Sequence, residues 1–432
     1  MINKKVLIIG TYPIAKPIHG GQKRAKAIFE FYKNLFINTK YIGVFHRGQY
    51  PDWGEDDILL GQPDIIQKID EFPPASELIA GEAIDNDIHV RSNMAKFLIG
   101  YRPDVIHIEQ PFPYIGLKIL LKELRLTPKL IFGSQNIEFV LKGGIFKGQK
   151  TLPRIRESLV KQTRDLEYNL SKKADLVISV NVEDADEHIK MGAKKCIVIP
   201  NGISRVYAPK NEINYWYDFK KQNNIKHVIT FIGSGHPPNW EGFLKMVGDD
   251  TTFLPQDSKI FIAGGVSNYF KNEYKDKSKC YRFWSGVEVV GELEEPRLAA
   301  LLRISDVIIL PIITKRGSNL KTAEAILSGK KIVATQFSFK GFEKYLSLPN
   351  IFFANSTNKF KENIVNAIDE QYVKKTPEQD NLAKSVQWRH CLQPLAPEIE
   401  NIFKHSYKKR FFKICHWLLN IFQTINRVKL MI

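Results

Sequence analysis

The residues best placed to do chemistry in this sequence are a cation and a carboxylate three positions apart, Lys321 and Glu324. An apolar, β-branched run from Asp306 to Leu310 precedes them, and a loop that contains Gly317 separates the run from the pair. This order predicts a buried parallel strand, a loop and a helix that begins near Leu320. Since residues three apart share one helix face, the ammonium and the carboxylate should lie side by side near the start of that helix.

The start of such a helix is suited to bind an anion. The first N–H groups have no intrahelical partner, the helix dipole is positive there, and open α/β sheets bind ligands at the carboxyl ends of their strands. Ser318 or Asn319 can cap the helix, and Arg316 brings a further charge to the loop. A pyrophosphate beside Lys321 and ribose hydroxyls beside Glu324 would fit this arrangement. The alternative is that the two side chains form an ordinary solvated ion pair.

The composition is that of a globular protein with a surplus of positive charge. With 432 residues, 44% of them apolar, the chain is longer than one core usually supports, so we expect two domains. The net charge of +17 favours anionic partners such as nucleotide phosphates, nucleic acid or an acidic membrane surface. Because the sequence contains no recognisable nucleic-acid-binding module, we expect no nucleic acid partner.

The cysteines and the apolar runs bear on metal binding and location. The four cysteines lie far apart and lack paired metal-ligand spacing, which predicts free thiols in a reducing compartment and no metal site. The first apolar run is too short for a signal peptide, and no segment reaches the ~18 apolar residues of a spanning helix. We therefore expect a cytoplasmic protein.

Strand-like runs alternate with helical patterns through both halves of the chain. In the first half the runs are 5–9, 40–45, 105–108, 129–132, 176–180 and 196–200, and in the second half 227–232, 259–263, 287–290, 306–310 and 331–334. Clear helical periodicity covers 22–34 and 155–172. This rhythm predicts an α/β protein with doubly wound parallel sheets. We expect two Rossmann-like domains facing a central cleft, 1–202 and 227–390, with a linker at 203–226 and a tail at 391–432.

Small and polar residues follow several of the predicted strands. Gly20 and Gly21 stand directly before a helix, where a backbone without side chains lets a ligand approach closely. Gly235 and Asn239 follow the first strand of the second half. The patterns G-x-G-x-x-G and G-x-x-x-x-G-K-[ST] are absent, which argues against hydride transfer and P-loop phosphoryl transfer.

Two strand ends of the first half carry hydrogen-bonding side chains. Glu109 and Gln110 follow one strand, and Gln135 and Asn136 follow the next. Such groups at the carboxyl ends of parallel strands could bind the hydroxyls of an acceptor. The sequence leaves open the alternative that they only solvate loops and cap helices.

These features together resemble the retaining GT-B glycosyltransferases, specifically the large family often called family four. The likeness rests on the early Gly-Gly pair, on PNG at 200–202, on FIGSGHPPNWEG, and above all on GSNLKTAEAILSGKKIVAT from Gly317 to Thr335. It spans roughly residues 5 to 345. In that family the C-terminal domain binds a nucleotide diphosphate sugar and the N-terminal domain binds the acceptor.

The resemblance implies a role for each matching residue. Glu324 would hold the donor ribose, while Lys321 and the amides of Gly317, Ser318 and Asn319 would hold the diphosphate. Further donor contacts would come from Gly20, Gly21, Gly235 and Asn239, and the base would be read at Gly291, Glu292 and Leu293.

The chain departs from the usual family pattern in three respects. Arg316 stands where many members have a first glutamate, and Ser234 and Asn239 stand near a usual arginine and lysine. Lys315, Arg316 and Lys321 are then the replacement positive charges. Gln135 corresponds to a frequent histidine, and it can hydrogen-bond a hydroxyl but cannot carry a proton.

The implied reaction breaks an anomeric C–O bond and leaves negative charge on the departing diphosphate. Stabilising that leaving group with a helix dipole, Lys321 and Arg316 requires neither a metal nor another cofactor. The resemblance implies retention, with the leaving phosphate assisting deprotonation of the acceptor hydroxyl. The alternatives are a nucleotide-sugar epimerase or a phosphorylase of the same architecture, or a non-catalytic binding subunit.

The tail suggests a further partner. Between Lys404 and Ile432 it has seven Lys or Arg and no Asp or Glu, and its apolar residues recur at helical spacing. This pattern predicts an interfacial amphipathic helix that could hold the enzyme at an anionic membrane, within reach of a lipid-linked acceptor. The alternative is a C-terminal helix packed back on the N-terminal domain, which GT-B proteins commonly have.

Overall fold

Each half of the chain builds one parallel β-sheet in the computed structural model, which describes residues 4–35, 38–147, 153–275, 280–314, 320–370 and 374–404. The described residues divide into two compact units. The first unit takes them from Met1–Ser179, Ala185–Ile199 and Leu392–Ile432, and the second from Val180–Asp184 and Pro200–Cys391. The first unit is therefore assembled from both ends of the chain.

The first sheet has seven strands in the order β3-β2-β1-β4-β5-β6-β7. The strands are β1 (Lys5–Gly10), β2 (Asn38–Phe45), β3 (Ile58–Leu59), β4 (Val105–Glu109), β5 (Lys129–Gly133), β6 (Leu176–Ser179) and β7 (Cys196–Val198). All neighbouring pairs are parallel. The winding reverses between β1 and β4, where Leu7 lies opposite Lys40 on one side and Ile106 on the other.

The second sheet has six parallel strands in the order β10-β9-β8-β11-β12-β13. They are β8 (His227–Ile232), β9 (Ser258–Ala263), β10 (Val287–Gly291), β11 (Val307–Leu310), β12 (Lys331–Ala334) and β13 (Ile351–Phe353). Here the winding reverses between β8 and β11. All four residues of β11 are buried, as its continuous apolar run predicts.

Helices connect the strands of both sheets. In the first half they are Gly20–Leu35, Pro63–Glu71, Ser76–Asn86, Ile88–Tyr101, Tyr114–Glu123, Glu138–Lys147, Pro153–Lys173 and Val182–Lys190. In the second half they are Lys210–Gln222, Pro237–Met246, Val266–Asn268 continued by a π-helix at Tyr269–Tyr274, Tyr281–Gly286, Glu295–Ile304, Leu320–Ser328, Thr357–Asp369, Pro377–Lys384 and Trp388–Cys391. The helices predicted at 22–34 and 155–172 are confirmed.

The segment predicted as a linker, 203–226, has a different structure. Its centre is the helix Lys210–Gln222, which packs against the helix Glu295–Ile304 of the second unit. Trp216 is only 2% exposed, and its indole N–H donates to the carbonyl of Arg297 at 3.1 Å. Trp216 is the one fully buried residue of this helix, and partly buried apolar residues beside it pack against the same cluster, so the segment forms part of the second unit.

The segment predicted as a separate tail also divides. Residues 395–404 are helical and belong to the first unit, where Leu395, Ile399 and Phe403 are buried. The ammonium of Lys4 lies over the ring of Phe403, 5.4 Å from its centroid. Residues 405–432, which carry most of the predicted amphipathic pattern, lie outside the described residues. Among the described residues, no helix is both long enough and apolar enough to cross a bilayer.

Candidate functional site

The second unit holds Lys321 at the start of the helix Leu320–Ser328, which follows β11. The Lys321 ammonium donates a hydrogen bond to Oδ1 of Asn239, in the first turn of the helix Pro237–Met246. The amide of Asn239 is itself fixed, because its Nδ2 donates to the carbonyl of Ser234 at 2.8 Å and to the Ser234 hydroxyl at 3.1 Å. Ser234 and Asn239 therefore orient a lysine at the start of the helix Leu320–Ser328.

Burial changes the electrostatics of this lysine. It lowers the pKa of Lys321 to about 8, although the carboxylate of Glu324 acts in the opposite direction. Both side chains are half-buried. Lys321 is thus more than a member of a solvated surface pair: it is a partly desolvated cation held by a neutral amide.

The loops after β8, β9 and β10 meet through their backbones. The N–H of Gly264 donates to the carbonyl of Gly291 at 2.8 Å, and both glycines have a left-handed backbone, with φ of 89° and 90°. A Cβ on Gly265 would lie 2.8 Å from the nitrogen of Gly235. Glu292 points across this cluster, and its Oε1 accepts from Asn268 at 3.1 Å. Leu293 instead packs against an apolar cluster of the second unit.

A cavity of about 240 Å³ opens beside these loops. Two of its walls are Trp240 and Tyr269, whose rings stack 4.4 Å apart and nearly parallel. Its other lining residues are Gly235, Gly265, Asn268, Asn272 and Glu273. The sequence pattern does not predict this cavity, because Tyr269 lies in a π-helical turn that periodicity does not reveal.

The first unit places Glu109 and Gln135 in one buried network. Nε2 of Gln135 donates to Glu109 at 2.7 Å and also to the hydroxyl of Tyr12. On the other side, Nε2 of His107 lies 2.9 Å from Glu109, and Nδ1 of His107 bonds the hydroxyl of Tyr32 at 2.8 Å. Burial raises the pKa of Glu109, but His107, Arg24 and Gln135 together outweigh this effect and hold the pKa below its ordinary value. Glu109 is fully buried as a carboxylate.

Gly21 lies directly against this network, with no room for a larger side chain. A Cβ at Gly21 would lie 2.6 Å from Oε1 of Gln135 and 3.3 Å from the Tyr12 hydroxyl. The start of the helix Gly20–Leu35 therefore lies directly against the Gln135 side chain. The structure thus brings together three residues that the sequence could only place at separate strand ends.

Gln110 belongs to a second network. Its backbone is left-handed, with φ of 62°, and its side chain accepts from Thr11 at 3.3 Å and donates to Glu77 at 3.0 Å. Glu77 pairs with Lys142, whose ammonium also donates to the carbonyl of Pro74. Because Glu109, Gln110 and Gln135 are all at least nine-tenths buried and bonded to protein groups, they shape the loops more than they face a ligand.

Asn136 lies beside the carboxyl group of Glu138, another polar residue that follows the same strand. Asn136 is half-buried and its Nδ2 lies 3.5 Å from Glu138. Glu138 is buried at the start of the helix Glu138–Lys147, and Glu167 accepts from the backbone N–H groups of Glu138 and Phe139 at 2.9 Å. Burial, reinforced by Glu77, raises the pKa of Glu138 to about 8. The sequence does not predict this raised pKa, because Glu77, whose carboxylate repels that of Glu138, is distant in the sequence.

Part of the candidate site lies outside the described residues: Lys315, Arg316, Gly317, Ser318 and Asn319. Their predicted contacts with a diphosphate stay predictions. Within the part of the chain that the structure describes, no group of His, Cys, Asp and Glu side chains is arranged to hold a metal ion.

Two family models match the chain, one in each half. The model described as Glycosyltransferase Family 4 matches residues 61–205, and the model described as Glycosyl transferases group 1 matches residues 226–370. No curated protein matches the chain by sequence.

Solved structures share the fold over nearly the whole chain. Sucrose-phosphate synthase from Thermosynechococcus elongatus superposes with a TM-score of 0.64 at 12% identity, over 94% of this chain and 100% of that chain. The Anabaena protein HepE, in complex with UDP, has a TM-score of 0.59 at 14% identity, over 92% and 100%. The catalytic domain of starch synthase IV from Arabidopsis thaliana, bound to ADP and acarbose, has a TM-score of 0.60 at 12% identity, over 93% and 99%. The predicted architecture of two doubly wound α/β domains is confirmed.

Proposed function

Because the chain belongs to the GT-B glycosyltransferases of family four and group 1, we propose that it transfers a sugar from a nucleotide diphosphate sugar to an acceptor hydroxyl with retention. The observation that carries the proposal is Lys321, a partly desolvated cation held by Asn239 at a helix start, with Glu324 on the same helix face. This is the arrangement expected for a diphosphate beside a ribose.

The chemistry follows from the charge that develops on the leaving group. Lys321 and the positive end of the helix Leu320–Ser328 stabilise the departing diphosphate, and Arg316 adds a second cation in our proposal. No metal or other cofactor is needed for this stabilisation. The leaving phosphate, rather than a protein side chain, takes the proton of the acceptor hydroxyl.

The donor proposal is tested by thermal shift with a panel of nucleotide sugars, since a ligand that binds the folded state raises its melting temperature. For the donor that responds, Lys321→Ala and Glu324→Ala should each weaken binding roughly ten- to hundredfold, because each removes a charge-assisted hydrogen bond. Calorimetric titration measures the affinities.

Matched controls lie on the surface of the same unit. Lys359 and Glu362 form an exposed pair with the same three-residue spacing, 2.6 Å apart. Lys359→Ala and Glu362→Ala should leave donor affinity unchanged. Equal affinities in all four variants would reject the donor site.

We further propose a glycan or lipid-linked acceptor, in the synthesis of cell-surface polysaccharide or another glycoconjugate. The support is the tail, with seven Lys or Arg and no acidic residue between Lys404 and Ile432. Each basic residue near an anionic leaflet contributes about 1 kcal/mol. Co-sedimentation with anionic liposomes should be lost in a chain that ends at Lys404, while a truncated chain that still co-sediments would remove this support.

Product analysis separates the transferase from its alternatives. Incubation of the identified donor with membrane extract should transfer labelled sugar, and NMR of the product should show the anomeric configuration of the donor. Release of an epimerised free sugar without an acceptor would favour the epimerase, and donor binding without turnover would favour a binding subunit.

A further inference from the structure

The buried side chain of Gln22 holds the loop between β1 and the helix Gly20–Leu35. Its Oε1 accepts from the backbone N–H groups of Ile18 at 2.8 Å and His19 at 3.2 Å. Its Nε2 donates to the carbonyl of Pro13 at 2.8 Å. Three hydrogen bonds from a fully buried amide thus fix the backbone on both sides of the loop.

The same residue orients the imidazole of His19. The backbone N–H of Gln22 points to Nδ1 of His19 at 3.4 Å. Since a backbone N–H can only donate, Nδ1 carries the lone pair, and the proton of the neutral ring is on Nε2. The ring of Tyr12 packs edge-on against the imidazole, with centroids 5.2 Å apart, and Tyr50 lies 6.2 Å away.

His19 is also next to the network that contains Gln135. A Cβ on Gly21 would lie 3.3 Å from Cε1 of His19 and 2.6 Å from Oε1 of Gln135. His19 is itself exposed to solvent. Desolvation by the surrounding protein lowers the pKa of His19, although the carboxylate of Glu77 acts in the opposite direction, and the lowered pKa favours the neutral ring.

We propose that His19 binds substrate in the first unit by donating a hydrogen bond from Nε2–H to a substrate oxygen, and that Gln22 positions it. The oxygen belongs either to a phosphate of the donor or to a hydroxyl of the acceptor, since both accept from a neutral imidazole. His19 does not act as a general base, because its lone pair is engaged by Gln22. The inference rests on the proposed glycosyl transfer.

The first test is the tautomer of His19 in the full-length chain, read from the ring ¹⁵N shifts and assigned with His19→Gln. We expect Nε2–H at pH 7, and Gln22→Met should mix the two tautomers. A ring protonated on Nδ1 would overturn the proposal. This measurement does not depend on activity, so it separates the inference from the proposed function.

The second test adds ligands in two arms, nucleoside diphosphates alone and the methyl glycosides of glucose, galactose and mannose. A shift of the His19 Nε2 resonance in the first arm identifies a phosphate oxygen, and a shift in the second identifies a sugar hydroxyl. His19→Phe should weaken that binding about tenfold, while His19→Gln retains a donor and part of the affinity.

The exposed His89 of the same unit is the matched control, and His89→Phe should change nothing. If nucleotides raise the melting temperature through Lys321 but neither arm moves the His19 resonance, the inference fails and the proposed function stands. If no nucleotide binds, the proposed function itself fails.

Discussion

At the scale of single residues, the candidate sites depend on side chains whose ionisation is set by burial. Lys321 and Glu324 could be selected from the sequence, because their spacing and the preceding strand are local features. The environment of these two residues could not be predicted, since Asn239, the hydrogen-bond partner of Lys321, is 82 residues away in the sequence. The raised pKa of Glu138 and the lowered pKa of His19 could not be predicted for the same reason: both depend on burial and on the carboxylate of Glu77, which comes from a distant segment.

The lowered pKa of Lys321 predicts a pH-dependent donor affinity. The folded pKa is about 8, so the ammonium that attracts a diphosphate is present below pH 8 and is lost above it. Affinity for a nucleoside diphosphate should therefore be higher near pH 7 than above pH 8, where it should fall by up to about tenfold per unit. Lys321→Arg should remove this fall, because arginine stays charged. Calorimetry from pH 6.5 to 9.5 measures it, and a flat wild-type profile would contradict it.

The raised pKa of Glu138 predicts a pH-dependent stability. In the unfolded chain this carboxyl ionises near its ordinary value, whereas in the folded protein it stays protonated up to about pH 8. The folded state then binds the extra proton, so stability from this group is present at low pH and is lost as pH rises to about 8. Glu138→Gln should raise the melting temperature more at pH 8 than at pH 5. The exposed Glu362→Gln is the control, and an equal gain at both pH values would refute the assignment.

At the scale of elements, periodicity located most strands but failed where an element is short or polar. The two-residue strand β3 and the three-residue strand β13 were not predicted, because strands this short are too short to show an alternating pattern of apolar and polar residues. The polar, aromatic-dotted sequence of the helix Lys210–Gln222 predicts a linker, since Trp216 is its one fully buried residue. Helix packing through glycine is equally hard to foresee, as the helices Ser76–Asn86 and Tyr114–Glu123 show.

Gly81 and Gly116 allow these two helices to approach closely. A Cβ on Gly81 would lie 2.1 Å from the carbonyl oxygen of Phe112, and one on Gly116 would lie 2.7 Å from the backbone nitrogen of Asp85. Gly81→Ala should therefore destabilise the fold by about 1–3 kcal/mol, because backbone must move. Gly100→Ala is the control: it lies in a helix with open space around it, and should be neutral or slightly stabilising. Urea denaturation measures the free energy of unfolding of both variants. Equal effects would show that the close approach of the two helices at Gly81 does not contribute to stability.

At the scale of the whole molecule, the first unit depends on residues that the sequence pattern predicts to form a separate tail. Leu392, Leu395, Ile399 and Phe403 are at most 4% exposed, and Lys195 pairs with Glu398. Their spacing of three and four residues was visible in the sequence, but its partner surface was not. The two-domain architecture itself was predictable, because alternating strands and helices over this length leave few other folds.

Truncation distinguishes the two parts of the tail. A chain that ends at Cys391 should lose several kcal/mol of stability in the first unit, because four buried apolar side chains are removed. A chain that ends at Lys404 keeps these side chains and should melt like the full-length protein. Calorimetric scanning of the three chains measures the difference. Equal melting temperatures for all three would show that residues 392–404 do not contribute to the first unit.

The return of the chain to the first unit also sets the order in which the protein can be made. Residues 392–404 are synthesised after all of the second unit. Until they have been made, the surface of the first unit that packs against Leu395, Ile399 and Phe403 stays uncovered. The second unit, which takes its described residues from Val180–Asp184 and Pro200–Cys391, is finished earlier. The half that begins translation first is therefore the last to complete its core, and during that interval it presents apolar surface for chaperones to bind.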